Sequence, residues 1–195
     1  AIDSLLDFLG IAIDKRDETI WAGSYGGGLL HIKPGSQFEI YKQNKLGATM
    51  GDPTSYRVAG LAFDTDNNLW ISNFGSAQPL RVMKADGSWK SFTIPFALFQ
   101  NAVSQIVIDN YNYKWMVSPM GNGLLCYDHG TSIDNIFDDQ WRKFGIGSGN
   151  GNLPSNDVRC IAKDKNGFMW VGTSDGVGVF QCTELLFAAQ GCDAV

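Results

Sequence analysis

The chain of 195 residues is predicted to be all-β: a propeller segment of about four blades, each a four-stranded antiparallel sheet. Three observations carry this. One apolar strand pattern ending in aspartate occurs four times without gaps. Each aspartate is followed, at a nearly constant distance, by a tryptophan. In three of the four copies an aromatic pair follows further on. A unit of roughly 40–50 residues repeated in this way is the mark of blades stacked side by side.

The first element of each unit reads Phe8-Leu-Gly-Ile-Ala-Ile-Asp14, Val58-Ala-Gly-Leu-Ala-Phe-Asp64, Val103-Ser-Gln-Ile-Val-Ile-Asp109 and Val158-Arg-Cys-Ile-Ala-Lys-Asp164. Each is a short strand bounded by turn residues such as Asp66-Asn67-Asn68 or Lys165-Asn166-Gly167. The second strand carries Trp21, Trp70, Trp115 or Trp170, spaced 49, 45 and 55 residues apart. The Asp-to-Trp distance is six residues in three copies and seven in the first. A third strand follows the glycines (Gly28-Leu-Leu-His-Ile, Pro79-Leu-Arg-Val-Met, Gly123-Leu-Leu-Cys-Tyr, Gly176-Val-Gly-Val-Phe). The fourth carries Phe38 with Tyr41, Trp89 with Phe92, or Trp141 with Phe144, and the last copy has no clear equivalent. The units run approximately over 5–50, 51–98, 99–150 and 151–195, within one propeller segment spanning 1–195. Helical periodicity is confined to a weak signal at Leu185 to Gln190.

Repetition in every unit assigns the aspartates to architecture: a carboxylate at a strand end accepts backbone N–H bonds in the tight turn that follows. The tryptophans are assigned to the core, because a blade cannot cover its own faces and large rings must pack between neighbours.

The composition narrows the function. A net charge of −5, with no basic run interleaved with aromatics, argues against nucleic acid as a partner. No stretch approaches the roughly 20 apolar residues of a membrane helix, so no membrane insertion is expected. No signal peptide is visible and the chain opens in patterned sequence, as a mature or excised segment would. Two histidines, His31 and His129, lie far from the four cysteines, none of which forms C-x-x-C, so no metal or other cofactor is expected. Cys182 and Cys192 bracket a short segment and are the candidates for a disulfide, which would imply an oxidising compartment. Spacing alone leaves the pairing open. Cys160, in an apolar strand pattern, is expected to be a buried free thiol.

Motifs suggestive of catalysis have simpler readings. Gly172-Thr-Ser-Asp-Gly176 matches G-x-S-x-G, but it lies in a β–β connection where a nucleophile elbow needs a strand-to-helix turn. Asp64-Thr-Asp-Asn-Asn68 lacks the glycine and glutamate of a calcium loop. The run Gly145 to Gly151 is not G-x-G-x-x-G and reads as a blade-to-blade connection. No catalytic residue is assigned.

In a propeller the loops between strands two and three open on the same face as the blade-to-blade connections. Here these carry Tyr25, Asn73, Phe74, Met120 and Asp175, with Tyr56, Arg57, Asn101, Asn156 and Asp157. Rings beside amides and an arginine suit a carbohydrate, a peptide or a protein partner.

The stretch Val158-Arg-Cys-Ile-Ala-Lys-Asp-Lys-Asn-Gly-Phe-Met-Trp-Val-Gly-Thr-Ser-Asp-Gly-Val177 resembles the two-component regulator propeller repeat of Bacteroidetes-type bacteria. Asn68-Leu-Trp-Ile-Ser-Asn-Phe-Gly75, Pro79-Leu-Arg-Val82 and Gly149-Asn-Gly-Asn-Leu-Pro-Ser-Asn-Asp-Val158 resemble, more narrowly, the propeller proteins that accompany type IX secretion, and so does the cysteine-bearing tail. The resemblance implies a periplasmic or cell-surface, non-catalytic binding or assembly module. Its other main branch implies a carbohydrate-sensing ectodomain of a hybrid two-component regulator. A propeller lyase or hydrolase is disfavoured, since two histidines supply too few convergent groups around an axis. Family propellers usually have more than four blades. A fragment of a larger propeller, or self-association through open blade edges, is therefore expected.

Overall fold

The computed structural model describes residues 5–195, which divide into two compact units, one ending at Ile106 and the other beginning at Val107. Unit one contains two blades. The first is β1 (Phe8–Ile13), β2 (Ile20–Gly26), β3 (Gly28–Lys33) and β4 (Gln37–Tyr41), each antiparallel to the next. The second is β5 (Tyr56–Phe63), β6 (Leu69–Asn73), β7 (Leu80–Met83) and β8 (Trp89–Phe92). The end of β2 also pairs with the start of β5, Tyr25 opposite Arg57, and this ties the two blades at one end.

Unit two follows the same plan. Its first blade is β9 (Ile106–Ile108), where the division falls, β10 (Lys114–Ser118), β11 (Gly123–Asp128) and β12 (Gln140–Phe144). Its second blade is β13 (Val158–Lys163), β14 (Met169–Thr173) and β15 (Gly176–Phe180). Among the described residues no fourth strand pairs there, in line with the absent aromatic pair. Val195 instead exchanges backbone hydrogen bonds with Val179, at 2.9 and 3.1 Å, on the outer side of β15. The weak helical signal at Leu185 to Gln190 resolves into a three-residue 3-10 turn at Thr183–Leu185 followed by turns.

The Asp-to-Trp spacing has a direct cause. Oδ1 of Asp64 accepts from the N–H groups of Asp66 (2.9 Å) and Asn68 (2.8 Å), closing the hairpin, while Oδ2 accepts from Trp70 Nε1 at 2.8 Å. Asp109 does the same with Tyr111, Tyr113 and Trp115, and Asp164 with Asn166, Phe168 and Trp170. One carboxylate thus satisfies the turn and the indole donor, and six residues is the separation at which both are reached. In blade one the extra residue breaks the hook. Asp14 turns to Arg16, which approaches to 2.7 Å, and Trp21 Nε1 is buried without a partner among the described residues. Trp21 stacks instead on His31, with ring centroids 3.7 Å apart. Burial lowers the pKa of His31 and so favours the neutral ring in that stack.

Gly28 and Gly123 each open a third strand with positive φ, +99° and +96°. A Cβ at either would lie 2.3 Å from a carbonyl of the outer strand, Tyr41 O or Phe144 O. These glycines allow close approach of two backbones, where the sequence shows only a turn.

Two expectations are corrected. Trp21, Trp70 and Trp115 are core residues, but Trp170 is 46% exposed, because no blade of the described chain covers that face of β14. Cys160 is free, as expected, but exposed: its neighbour across the strands is Gly172, which has no side chain to shield it. Cys126 is the buried thiol, and burial pushes its pKa well up. Cys182 and Cys192 are joined. In dilute solution a thiol reagent is accordingly expected to label Cys160 at once and Cys126 only after unfolding. Counting four thiols, or none before denaturation, would contradict this arrangement.

Candidate functional site

A cavity lies in unit one, at the end of the blades where the strand two-to-three loops and the blade connections emerge. It holds about 420 Å³ and is lined by Thr49, Asp52, Arg57, Phe74, Gln100 and Asn101, among others. Three of the ten residues expected on this face therefore meet around one space. Tyr25 backs them: its ring meets Phe74 edge-on at 5.4 Å, and the Arg57 guanidinium lies 5.0 Å from its centroid. No carboxylate among the described residues pairs with Arg57, so its donors remain available.

Local backbone builds the walls. Gly51 (φ +81°) and Gly75 (φ +75°) turn two of the segments, and the Thr49 and Gly75 strips are stitched by Met50 N to Gly75 O at 2.8 Å. Gln100 and Asn101 also have positive φ, +58° and +46°, although neither is glycine. Successive non-glycine residues in this region are held by their surroundings, here by Asn101 Nδ2 donating to Ser76 O at 3.1 Å. Thr49 is buried, and its Oγ1 has no partner among the described residues. The cavity thus presents a ring, a planar cation, amides, a carboxylate and an unsatisfied hydroxyl, a set suited to binding a polar ligand.

The remaining expected residues divide. Tyr56 continues β5 beside Arg57 and packs partly against the core of unit one. Asn73 is fully buried, contrary to expectation. Its Oδ1 accepts from Gly47 N at 2.7 Å and Arg81 Nε at 3.0 Å, so its amide holds the blade connection and does not face a ligand. Met120, Asn156, Asp157 and Asp175 belong to unit two. There the turn after β10, the connection before β13 and the β14–β15 turn are bonded together. Gly123 N donates to Asn156 O and Ser174 N to Asp157 O, both at 3.0 Å. Met120 and Asp175 are exposed, and Asp157 is paired with Arg159 at 3.0 Å. Sequence reasoning missed Thr49, Asp52 and Gln100. The Gly51-Asp52-Pro53 turn signals a loop there, but nothing in the sequence marks Gln100 for positive φ.

Ser174 of the G-x-S-x-G match bonds to Ser155 Oγ at 2.9 Å; neither histidine serves it, His31 being stacked on Trp21 and His129 set against Lys114. Among the described residues no three His, Cys, Asp or Glu side chains are grouped to hold a metal. Among the described residues no helix is long and apolar enough to cross a membrane.

Blades of this construction, joined in series with an aspartate–tryptophan hook in three of the four, define a β-propeller segment. The family model of the two component regulator propeller matches residues 152–175, within the fourth unit. No match is found among curated proteins. Among solved structures, the chain is similar over its full length to PorZ of Porphyromonas gingivalis, described as an essential bacterial surface component of the type IX secretion system (TM-score 0.82, 21% identity, 28% of that chain). It is also similar to the extracellular domain of a hybrid two-component system of B. thetaiotaomicron (TM-score 0.65, 24% identity, 92% of this chain and 22% of that one). A third is virginiamycin B lyase of Staphylococcus aureus (TM-score 0.64, 14% identity, 89% and 51%). At these identities the likeness establishes the propeller fold, and the chain spans between a fifth and about half of each relative's length.

Proposed function

We propose that the chain is a non-catalytic binding or assembly segment of an extracytoplasmic β-propeller, linked to type IX protein secretion, and that the cavity of unit one takes an extended segment of a protein partner. The observation that carries this reading is the placing of Arg57, without a carboxylate partner, between Tyr25 and the cavity walled by Phe74, Gln100 and Asn101. A guanidinium held over a ring is poised for carbonyl or carboxylate acceptors, and the ring supplies apolar contact. Full-length similarity to a surface component of a secretion system and the disulfide near the C-terminus support an extracytoplasmic setting. The arrangement around Ser174 supports a role without catalysis.

A second reading is a ligand-sensing segment of a hybrid two-component regulator, with carbohydrate in the same cavity. The similarity to such an ectodomain and the exposed Gln100 at the cavity favour it. One variant tests both. Arg57→Ala removes a surface cation and is expected to leave the fold intact while weakening binding at least tenfold, about 1.4 kcal/mol. Titration by calorimetry with a panel of extended peptides and neutral oligosaccharides reads which class binds. Equal affinity of wild type and variant for every member that binds would overturn the assignment of the cavity.

A further inference from the structure

A groove of about 320 Å³ lies on unit one where the segment after β4 meets β7 and β8. Asn44, Lys45, Arg81, Trp89 and Ser91 line it, among others, and no aspartate or glutamate does, in a chain whose net charge is −5. Register builds one wall. Arg81 stands opposite Ser91 and Met83 opposite Trp89, so the side chains of Arg81, Ser91 and Trp89 share one face of the sheet. Lys45 joins them from the other wall, its Nζ 5.7 Å from the centre of the Trp89 ring. Lys90 also borders the groove, but its ammonium lies over Phe92 at 5.1 Å, on the opposite face of β8.

Arg81 is a part-buried cation with neutral partners. Its Nε donates to Asn73 Oδ1 and its Nη1 to Lys45 O, both at 3.0 Å. A Cβ at Gly47 would lie 2.8 Å from Nη2, so glycine there gives the head group its place. Among the described residues no carboxylate pairs with Arg81 or Lys45, and burial lowers the Arg81 pKa with no acid to offset it. A charge taken out of water without a counter-charge is costly, and Nη2, which donates to no described residue, is left for an acceptor from outside.

The sheet edge adds a second, independent feature. β8 ends the strand order of its sheet. Lys84 N donates to Ser88 O at 2.8 Å, and an antiparallel ladder alternates along its length. Lys90 and Phe92 therefore exchange bonds with β7, whereas Trp89 and Ser91 turn their N–H and C=O groups to the open side. These are the same two residues whose side chains wall the groove. An extended chain laid along this edge would bond to both and bring every second side chain to the groove face.

We infer that the outer edge of β8 takes an extended acidic segment of a protein partner as an added strand, its carboxylates held by Arg81 and Lys45 and their aliphatic stems lying on Trp89. Charge complementarity identifies the occupant. The planar fork of Arg81 matches a carboxylate, and a neutral or basic segment would leave both cations uncompensated. Both walls belong to blades one and two, and the groove shares no lining residue with the cavity at Arg57.

The test is titration of the full chain with a labelled, end-blocked peptide of alternating glutamate and threonine, read by fluorescence anisotropy. The same peptide carrying glutamine for glutamate, and inorganic phosphate as competitor, are the controls. The glutamate peptide is expected to bind more tightly than the glutamine peptide, and Lys45→Glu to weaken it, each by about tenfold or more. The fold uses the backbone of Lys45, so this variant keeps the structure, and Arg57→Ala should leave the affinity unchanged. Hydrogen exchange in the wild type reads the added strand: the amides of Trp89 and Ser91 should slow when the peptide is bound, while those of β6 stay as they were. No binding, equal binding of the two peptides, or equal binding by wild type and Lys45→Glu overturns the inference. Phosphate that displaces the peptide at equal concentration would make this a free-anion site. Binding that leaves the Trp89 and Ser91 amides exchanging as before would make it a carboxylate site without an added strand, and either result also overturns the inference.

Discussion

Trp115→Ala is expected to cost about 3–5 kcal/mol of stability in the unit it occupies, and Trp170→Ala, at the same position of the next repeat, about 1 kcal/mol or less when measured at dilution. Both indoles donate to the aspartate six residues before them, so the lost hydrogen bond is common to the pair. Burial separates them. Trp115 is completely enclosed and stacks on Phe144 at 5.7 Å and Phe180 at 5.2 Å, so its removal leaves a cavity between two blades that the surrounding sheets cannot close. Asp109 is also buried there, and burial raises its pKa against the opposing effect of the Trp115 N–H. Without that donor the carboxylate is left less satisfied. Trp170 has solvent over nearly half its surface, so truncation exposes little that was hidden. Denaturant unfolding followed through both tryptophan variants reads the difference. Equal losses would show that position in the repeat, and not enclosure by a following blade, sets the contribution of each tryptophan.

That contrast also separates what the sequence makes legible from what it does not. The four aspartates and four tryptophans are visible as a repeat, because the hook is local: turn and indole lie within six residues of the carboxylate. The missing outer strand of the last blade is equally visible, as a missing aromatic pair. Enclosure is not local. Trp170 and Trp115 hold the same position of the repeat, six residues after its aspartate, and the neighbouring blade distinguishes them. The exposure of Cys160 follows for the same reason.

The cavity in unit one was half legible. Arg57, Phe74 and Asn101 could be placed on one face by counting strands, since loops of a given rank in each blade emerge together. Asn73 could not be told from them, because whether an amide faces a ligand or bonds to Gly47 and Arg81 depends on a connection 26 residues away. The walls at Gln100 and Asn101 rest on backbone conformations that their residue types do not announce. The seven-residue spacing in blade one is visible in the sequence, but the broken hook that follows from it is evident only in the structure. That His31 would take over the face of Trp21 becomes evident only from the pairing of Trp21 with His31 across β2 and β3.

Loss of the Cys182–Cys192 bond is expected to have the second large effect, about 3 kcal/mol on the chain-entropy account of a loop this short. The bond does more than restrict the unfolded chain. Cys192 and Ala194 are buried in the core of unit two, and Asp193 between them accepts from Gly149 N at 2.6 Å, Gly151 N at 2.9 Å and Ser148 Oγ at 3.3 Å. The tail thereby fixes the glycine-rich connection that leads into β13. Those N–H donors, Gly149 foremost, hold the Asp193 carboxyl below its ordinary range. A depressed carboxylate stabilises the fold fully above its ordinary pKa and loses that contribution as pH falls through the lowered value. Two treatments should therefore converge on one segment. Reduction, or Cys182→Ser with Cys192→Ser, should lower the melting temperature at neutral pH and increase amide exchange in residues 145–153 and 182–195 while β10 and β11 stay protected. Acidification below about pH 4 should begin to loosen the same connection with the disulfide intact. Asp193→Asn should remove that acid step while keeping the bond. If exchange after reduction rises evenly across unit two, the tail acts only through the unfolded chain, and the anchoring of the connection by Asp193 is not what the disulfide secures.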